Sequence, residues 1–412
     1  MELTWWQIVL GVIVGLILLM VLVILHELGH AWAAVRNGVK VEEFGLGFPP
    51  RAKILGKFRG TLITLNWLLP LGGFCKMKGE SDDARENGSY GAASFWAKTK
   101  ILFAGVVMNL LAAMVIFTIL AWTGLPRISA DQFAIASDNH GRTGIVDVAN
   151  VVDGSPAAKA GLQKGDEILT LVGAECLSEL ELSVNCAPLY DPLSSHESAT
   201  HIQDSSQVSD FTKKHAGETI TIKFSRGGQT KFATAKLNSA QDAAKSGYLG
   251  VAMTQKQSAT IRATWSAPLV GIVDTLQFVW MTLQGLAGLI ANLAQGLAGL
   301  VMQSPGASAE LSAAGDSVAG PVGILGVIFP NALMAGPTQL FFLMGIISLT
   351  LTIMNILPIP GLDGGRWYLT AWYRARRKPL SKEKEEKIVG WGMLVLFGLI
   401  IIITITDIWK LF

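Results

Sequence analysis

Val23-Ile24-Leu25-His26-Glu27-Leu28-Gly29-His30 is the stretch on which the reading of the chain turns. His26 and His30 are four residues apart, so on an α-helix both imidazoles lie on one face and can grip one metal ion. Glu27, beside the first histidine, is placed to act as a base on a water at that metal. His-Glu-x-x-His is a signature of zinc-dependent hydrolysis. Its setting is unusual: Ile8 to Leu25 contains no charged or strongly polar residue. The motif therefore falls at the end of a segment long enough to cross a bilayer. A catalytic zinc takes three protein ligands and keeps one position open, so a third ligand must lie elsewhere.

The composition suits a membrane setting. Half of the 412 residues are hydrophobic and 16% are charged, and mean hydropathy is +0.43, too apolar for an ordinary soluble protein. The net charge of +2 gives no basic excess, so nucleic acid is not an expected partner. Cys75, Cys176 and Cys186 lack metal-ligand spacing. Cys176 and Cys186 could pair as a disulfide or remain free thiols. Glu2 is the only charged side chain before His26, so the first apolar run lacks the basic start of a secretory signal and reads as a retained span.

Four spans are expected: about 5–34, with Trp5 and Trp6 at the interface, then 101–122, 340–357 and 388–405. Residues 35–100 carry 11 Lys or Arg against 6 Asp or Glu, and Arg366 to Lys387 carries eight Lys or Arg. The positive-inside rule makes both loops cytoplasmic and the N-terminus extracytoplasmic. Within the first loop, 61–70 and 71–77 read as strands of a hairpin. It is either a plain loop hairpin or an edge strand able to hold an extended peptide. Asn109 is the one strongly polar residue of the second span; taken alone it suits a helix-packing hydrogen bond.

Residues 126–260 are soluble in composition. Val151 to Thr170, with Gly154-Ser155-Pro156-Ala157, Ala160-Gly161-Leu162 and Gly165-Asp166-Glu167-Ile168, looks like a PDZ domain. Gly217–Phe224 and Gly247–Val251 look like its later strands, and about 178–214 reads as a mobile insertion. Gly45-Leu46-Gly47-Phe48 spells a carboxylate-binding loop of such domains but lies too early. In permuted bacterial versions that loop falls near 143–146, so Gly144 and Ile145 are peptide-binding candidates, with ordinary core strand the other reading.

Residues 261–339 form a connector. Gln284-Gly285-Leu286-Ala287-Gly288-Leu289 recurs at 295–300, a period of about three helical turns. Trp280 to Val301 is uncharged and could span, yet an interfacial amphipathic helix is expected. The reason is topological. The four remaining histidines, His140, His196, His201 and His215, all lie in the extracytoplasmic region. Asp363, in Leu362-Asp363-Gly364-Gly365 after the third span, sits at the depth of His26 and His30 and is the expected third ligand. An extra crossing at 280–301 would carry Asp363 to the opposite face unless another crossing followed.

Taken together, these motifs resemble the site-2 protease family of intramembrane zinc metalloproteases, in its bacterial PDZ-containing branch. The resemblance rests on His26-Glu27-Leu28-Gly29-His30, Phe44-Gly45-Leu46-Gly47, Pro70-Leu71-Gly72-Gly73-Phe74, the PDZ segment, Gly320-Pro321-Val322-Gly323-Ile324 and Asn355 to Gly365. It implies one zinc on His26, His30 and Asp363, with Glu27 activating water. It implies that Gly45, Gly47, Gly72, Gly73 and Phe74 engage substrate, and that Asn109 and Asn355 do so too. The chain departs from the family at Gly105-Val106-Val107-Met108-Asn109, where many members have a proline after the glycine. The implied substrate is a single-span membrane protein, such as an anti-sigma factor trimmed by an upstream site-1-type protease, or a remnant signal peptide.

The expected architecture is a polytopic α-helical membrane protein of the bacterial inner membrane. It has four transmembrane helices, zinc between helices 1 and 3, a cytoplasmic-side membrane-associated β-hairpin and an inserted extracytoplasmic PDZ (α+β) domain. The parts divide at 1–125, 126–260, 261–339 and 340–412. A non-catalytic membrane scaffold that binds partner tails through the PDZ domain is the rival reading, and a zincin of soluble type merely tethered to the membrane is another.

Overall fold

The computed structural model describes residues 3–129, 131–141, 144–173, 199–202, 204–243, 247–257, 259–301 and 320–409. It forms two compact units, Met1–Leu120 with Ala267–Phe412, and Ala121–Ser266. Cys176 and Cys186, and residues 178–198 of the expected insertion, lie outside the described residues.

The first unit begins with α1 (Trp5–Arg36), which the unbroken apolar run makes helical as far as Asn37. At 1.5 Å per residue it is about 48 Å long, more than a bilayer core requires. Strands β1 (Val41–Phe58) and β2 (Thr61–Met77) follow, then α2 (Phe95–Thr123). The two strands fold back on themselves. Residues 43–46 pair with 62–65 and also with 73–76, while 53–58 pair with 61–65. Segment 62–65 is therefore internal to the sheet, and 73–77 is an edge.

After the second unit come α5 (Ala267–Val301), the shorter helix α6 (Pro321–Ala335), α7 (Pro337–Ile356), α8 (Asp363–Ala375) and α9 (Lys382–Trp409). Bare helix backbone sets the close contacts. A Cβ on Gly11 would stand 2.5 Å from Pro330, and one on Gly15 2.7 Å from Phe329, so α6 seats directly on α1. Asp407 of α9 accepts from the amides of Gly320 and Gly323 at 3.1 and 2.7 Å and caps the start of α6. Phe117, Phe278 and Phe342 meet edge to face and join α2, α5 and α7.

Helix α5 departs from the expectation of an interfacial helix. Gly271 abuts Thr118 of α2, and Thr282, Gly285, Leu286 and Leu289 line a cavity together with Thr350, Ile353 and Met354 of α7. The helix thus runs down the bundle beside α7 instead of across one end. Five described helices are long and apolar enough to cross a membrane, one more than expected, and 267–296 is the additional one. Small residues recurring every 11 positions serve packing along a neighbour as well as they serve an interface, so composition could not separate the two.

The second unit is an antiparallel sheet with short helices. Its strands are β3 (Leu125–Pro126), which pairs apart from the sheet with Thr260 and Ile261, β4 (Ile145–Val151), β5 (Glu167–Val172), β6 (Ala199–His201), β7 (Thr219–Arg226), β8 (Gln229–Lys236) and β9 (Val251–Gln257). The order is β8-β7-β5-β4-β9, with β6 also on β5. Ile220, Ile222 and Phe224 alternate inward, as a half-buried strand requires, and join Val146, Val148, Ile168 and Leu171 in the core. Helix α3 (Pro156–Lys159) starts at Ser155, whose hydroxyl accepts from the Ala158 amide. Helix α4 (Ser205–Lys214) contributes Val208 and Phe211 to the same core. Residues 199–202 and 204–214 are thus built into the domain, not part of an insertion: the spacing of three residues between Val208 and Phe211 was hidden among Ser, His and Asp.

Candidate metal centre

Helical spacing on α1 puts His26 and His30 side by side, and both are buried. Asp363 is the first residue of α8, after the turn that Pro358 and Pro360 impose on the end of α7. Two glycines let that turn close. A Cβ on Gly364 would lie 2.3 Å from the Ile356 carbonyl oxygen, and one on Gly365 2.0 Å from that of Ile359. Asp363 Oδ2 then stands 3.0 Å from His26 Nε2 and 3.2 Å from His30 Nε2, and the two imidazole nitrogens are 3.1 Å apart.

These separations fit a zinc ion. Tetrahedral ligands about 2.0–2.1 Å from zinc lie about 3.3 Å from one another. The donor chemistry agrees. His30 Nδ1 donates to the Ile101 carbonyl at 2.8 Å, which leaves Nε2 with its lone pair facing the other two donors. Asp363 Oδ2 is buried and has no hydrogen-bond donor. Among the described residues, His26, His30 and Asp363 are the cluster able to hold a metal.

The surrounding side chains orient the ligands. Asn109 is 1% exposed, and its amide lies 3.2 Å from His26 Nδ1. The amide oxygen otherwise has no partner. The nitrogen Nδ2 is the amide atom that faces His26, and a flip of the side-chain amide would turn Oδ1 there to accept the Nδ1 proton and leave Nε2 free for metal. The Asn109 carbonyl in turn accepts from Ser348 of α7 at 2.7 Å. Asn109 thus has the interior, helix-packing surroundings that its polarity alone suggested, beside one of the two histidines. One turn earlier, Gly105 brings bare backbone against the ligands: a Cβ there would lie 2.5 Å from His30 Nε2 and 2.7 Å from His26 Cε1. Sequence reasoning passed over Gly105, although its position four residues before a buried asparagine places it on the same helix face.

Glu27 is half-buried beside the edge strand of the small sheet. The place for a Cβ on Gly73 is 3.7 Å from Glu27 Cγ, and the backbone of Cys75 lies against its carboxylate. Gly45 pairs with Phe74, whose ring fills the space over Gly45, and Leu46 pairs with Gly73. Gly72, at φ +140°, faces Phe48, and Gly47 turns at φ +86°. The edge at 73–77 adjoins the metal centre through Gly73 and Cys75. Asn355, near the end of α7, is half-buried, and its side chain makes no hydrogen bond to another described residue.

Gly144 and Ile145 do not form an open peptide-binding edge. Ile145 opens β4, which is paired with β9 along its length and with β5 at Val146 and Asp147. The outermost strands are β8 and β9, and β9, which follows Tyr248-Leu249-Gly250, is the one that runs beside α4. The shift arises because strand order, not local sequence, decides which strand is outermost.

A polar cavity of about 530 Å³ opens beside Asp363, lined by Glu80, Arg366, Lys382 and Glu385 among others. Arg366, one turn after Asp363, is its hub. It donates to Glu385 at 3.1 Å and to the Glu80 carbonyl, and its guanidinium lies 4.9 Å over the buried Tyr90 ring. Glu385 also accepts from the Asp82 amide at 2.9 Å. The helix that carries the third ligand is thus tied to the 80–83 loop and to α9.

Known proteins resemble the chain along nearly its whole length. A protein of Clostridium perfringens is 28% identical over 399 residues, covering 96% of this chain and 98% of its own. One of Nostoc is 26% identical over 410 residues, with 97% and 96% covered, and one of Campylobacter jejuni 26% over 394 residues, with 94% and 90%. All three are named "Putative zinc metalloprotease". The model of Peptidase family M50 matches residues 14–399, a span that takes in both histidines and Asp363, and the chain belongs to that family, the site-2 proteases.

Proposed function

We propose that the chain is an intramembrane zinc endopeptidase that cuts single-span membrane proteins within their transmembrane segments. The convergence of His26, His30 and Asp363 beside Glu27, at the end of a 32-residue apolar helix, carries this reading. The names of the relatives support zinc, and the single three-residue cluster among the described residues leads us to assign one ion per chain. Bound by the two imidazoles and the carboxylate, zinc would supply a Lewis acid for the peptide carbonyl and acidify water. Glu27 takes the proton of the attacking water and passes it to the leaving amine. His30, held by Ile101, and His26, held by Asn109, keep their ligating nitrogens fixed through the cycle.

A helical substrate hides its carbonyls in internal hydrogen bonds and must unwind before it is cut. Its freed backbone groups need partners where water is scarce. The edge at Gly73–Met77, beside Glu27, offers a row of them, and the uncommitted amide of Asn355 offers another. Gly45, Gly47, Gly72 and Phe74 shape that edge. We place the second unit outside the cytoplasm of a bacterial inner membrane as a PDZ domain. Its docking groove lies between β9 and α4 and takes the role first given to Gly144 and Ile145. An anti-sigma factor already trimmed by a site-1-type protease, or a remnant signal peptide, is the substrate class. The test is Glu27→Gln. The variant should keep its zinc, lose cleavage of a single-span substrate in proteoliposomes and let that substrate accumulate. Unchanged cleavage would remove the reading, and cleavage of soluble proteins by the wild type would favour a tethered zincin.

A further inference from the structure

A second cavity, of about 1140 Å³, lies between α1 and α2 on a face of α1 away from the metal ligands. It exceeds the common small-ligand range of about 300–1,000 Å³, as a long flexible occupant would need. Leu28, Trp32, Phe103, Val107, Met108 and Leu111 give it an apolar wall. Arg36, in the last turn of α1, and Lys100, near the start of α2, stand at the same end. No Asp or Glu lines the cavity, and neither cation has an ion-pair partner among the described residues. The Arg36 guanidinium rests 5.1 Å over the Trp32 ring, at the mouth of the apolar part.

We propose that this groove binds one anionic phospholipid, with its phosphate between Arg36 and Lys100 and an acyl chain along Leu28, Val107, Met108 and Leu111. Two uncompensated cations over an apolar trough complement an anionic amphiphile. A neutral transmembrane helix would fill the trough and leave both charges unmatched. The site also touches the metal motif, because Leu28 and Gly29 lie between Glu27 and His30. At Gly29 the helices come so close that a Cβ would be 2.5 Å from the Ala104 carbonyl oxygen. A bound lipid braces that crossing from outside. The proposal stands apart from the proteolytic reading, since lipid occupancy is measured without cleavage.

The test is native mass spectrometry of the full chain in detergent, titrated with phosphatidylglycerol and with phosphatidylcholine of the same acyl chains. Each juxtamembrane cation favours an anionic lipid by about fivefold, so the wild type should prefer phosphatidylglycerol by roughly 30-fold. Arg36→Gln alone should lose about fivefold of that preference, R36Q/K100Q nearly all of it, and R36K/K100R little. Val107→Trp, at a half-exposed position, fills the trough and should weaken both lipids. Millimolar inorganic phosphate should not displace the lipid. No preference in the wild type, or a preference that survives R36Q/K100Q, overturns the proposal. Displacement by phosphate would make it a free-anion site. Val107→Trp blocking a single-span peptide while leaving lipid untouched would make it a helix-docking groove.

Discussion

Gly105→Ala adds one methyl group directly against both histidines of the metal centre. That carbon would stand 2.5 Å from His30 Nε2, where ordinary contact starts at 3.4 Å, so the ligand nitrogen must retreat by about 0.9 Å. Metal–ligand distances tolerate about 0.2 Å. His30 is also pinned from behind by Ile101 at 2.8 Å, so it cannot rotate away cheaply. If α2 withdraws instead, the contact of Asn109 with His26 is stretched. Either way a ligand or its orienting partner is displaced, a change that typically costs 10–100-fold in metal affinity. Local propensity acts in the opposite direction, since alanine favours a helix over glycine by about 1 kcal/mol. The variant should therefore fold with undiminished helix content and bind zinc at least 10-fold more weakly. The assay is zinc retention by the purified full chain against chelators of graded affinity, with far-ultraviolet circular dichroism alongside. Wild-type zinc affinity in Gly105→Ala would refute the argument that the ligands lean on this backbone.

Arg366→Gln removes the tie between the Asp363 helix and its supports and leaves the buried Glu385 unpaired. Zinc affinity should fall about 10-fold, with Arg366→Lys in between because an ammonium cannot reproduce the fork, as read by the same chelator titration. In the second unit, burial pushes the Asp166 carboxyl up, but its two bonds from Arg226 and one from the Gln163 amide outweigh that and hold it below the usual carboxylate range. A depressed carboxylate contributes stability that is complete above the unfolded value near 3.9 and fades as pH falls through the folded one. Hydrogen exchange in strands β5 and β7 of the full chain should therefore accelerate below about pH 4. Asp166→Asn should make exchange faster at neutral pH and largely abolish that dependence, at a cost of about 1–3 kcal/mol.

The metal ligands were legible in the sequence because two sit on one helical turn and the third was the remaining carboxylate at a compatible depth. The long apolar runs likewise announced α1, α2, α7 and α9. What stayed hidden depends on distant residues. Gly105 looks like any small residue of a membrane helix until His30 is placed against it. Arg366 reads as one of many loop cations until Glu80 and Glu385 arrive from far along the chain. The polarity of Asn109 in an apolar helix suggested an interior partner, but which partner, His26, depends on the approach of α1. Ile145 and Val251 both begin strands of similar composition, and only sheet order distinguishes the inner from the outer one. Helix α5 shows the same limit, since its glycines suit a neighbour as well as an interface.

The most direct test of the metal centre is zinc-edge X-ray absorption on the purified full chain. Zinc on His26, His30 and Asp363 should give a shell of light nitrogen and oxygen donors at about 2.0–2.1 Å, with the outer scattering of two imidazoles. Asp363→Asn should weaken zinc retention, and no variant should be needed to exclude sulfur. A sulfur shell near 2.3 Å would implicate a thiolate such as the buried Cys75 and contradict the assignment of His26, His30 and Asp363.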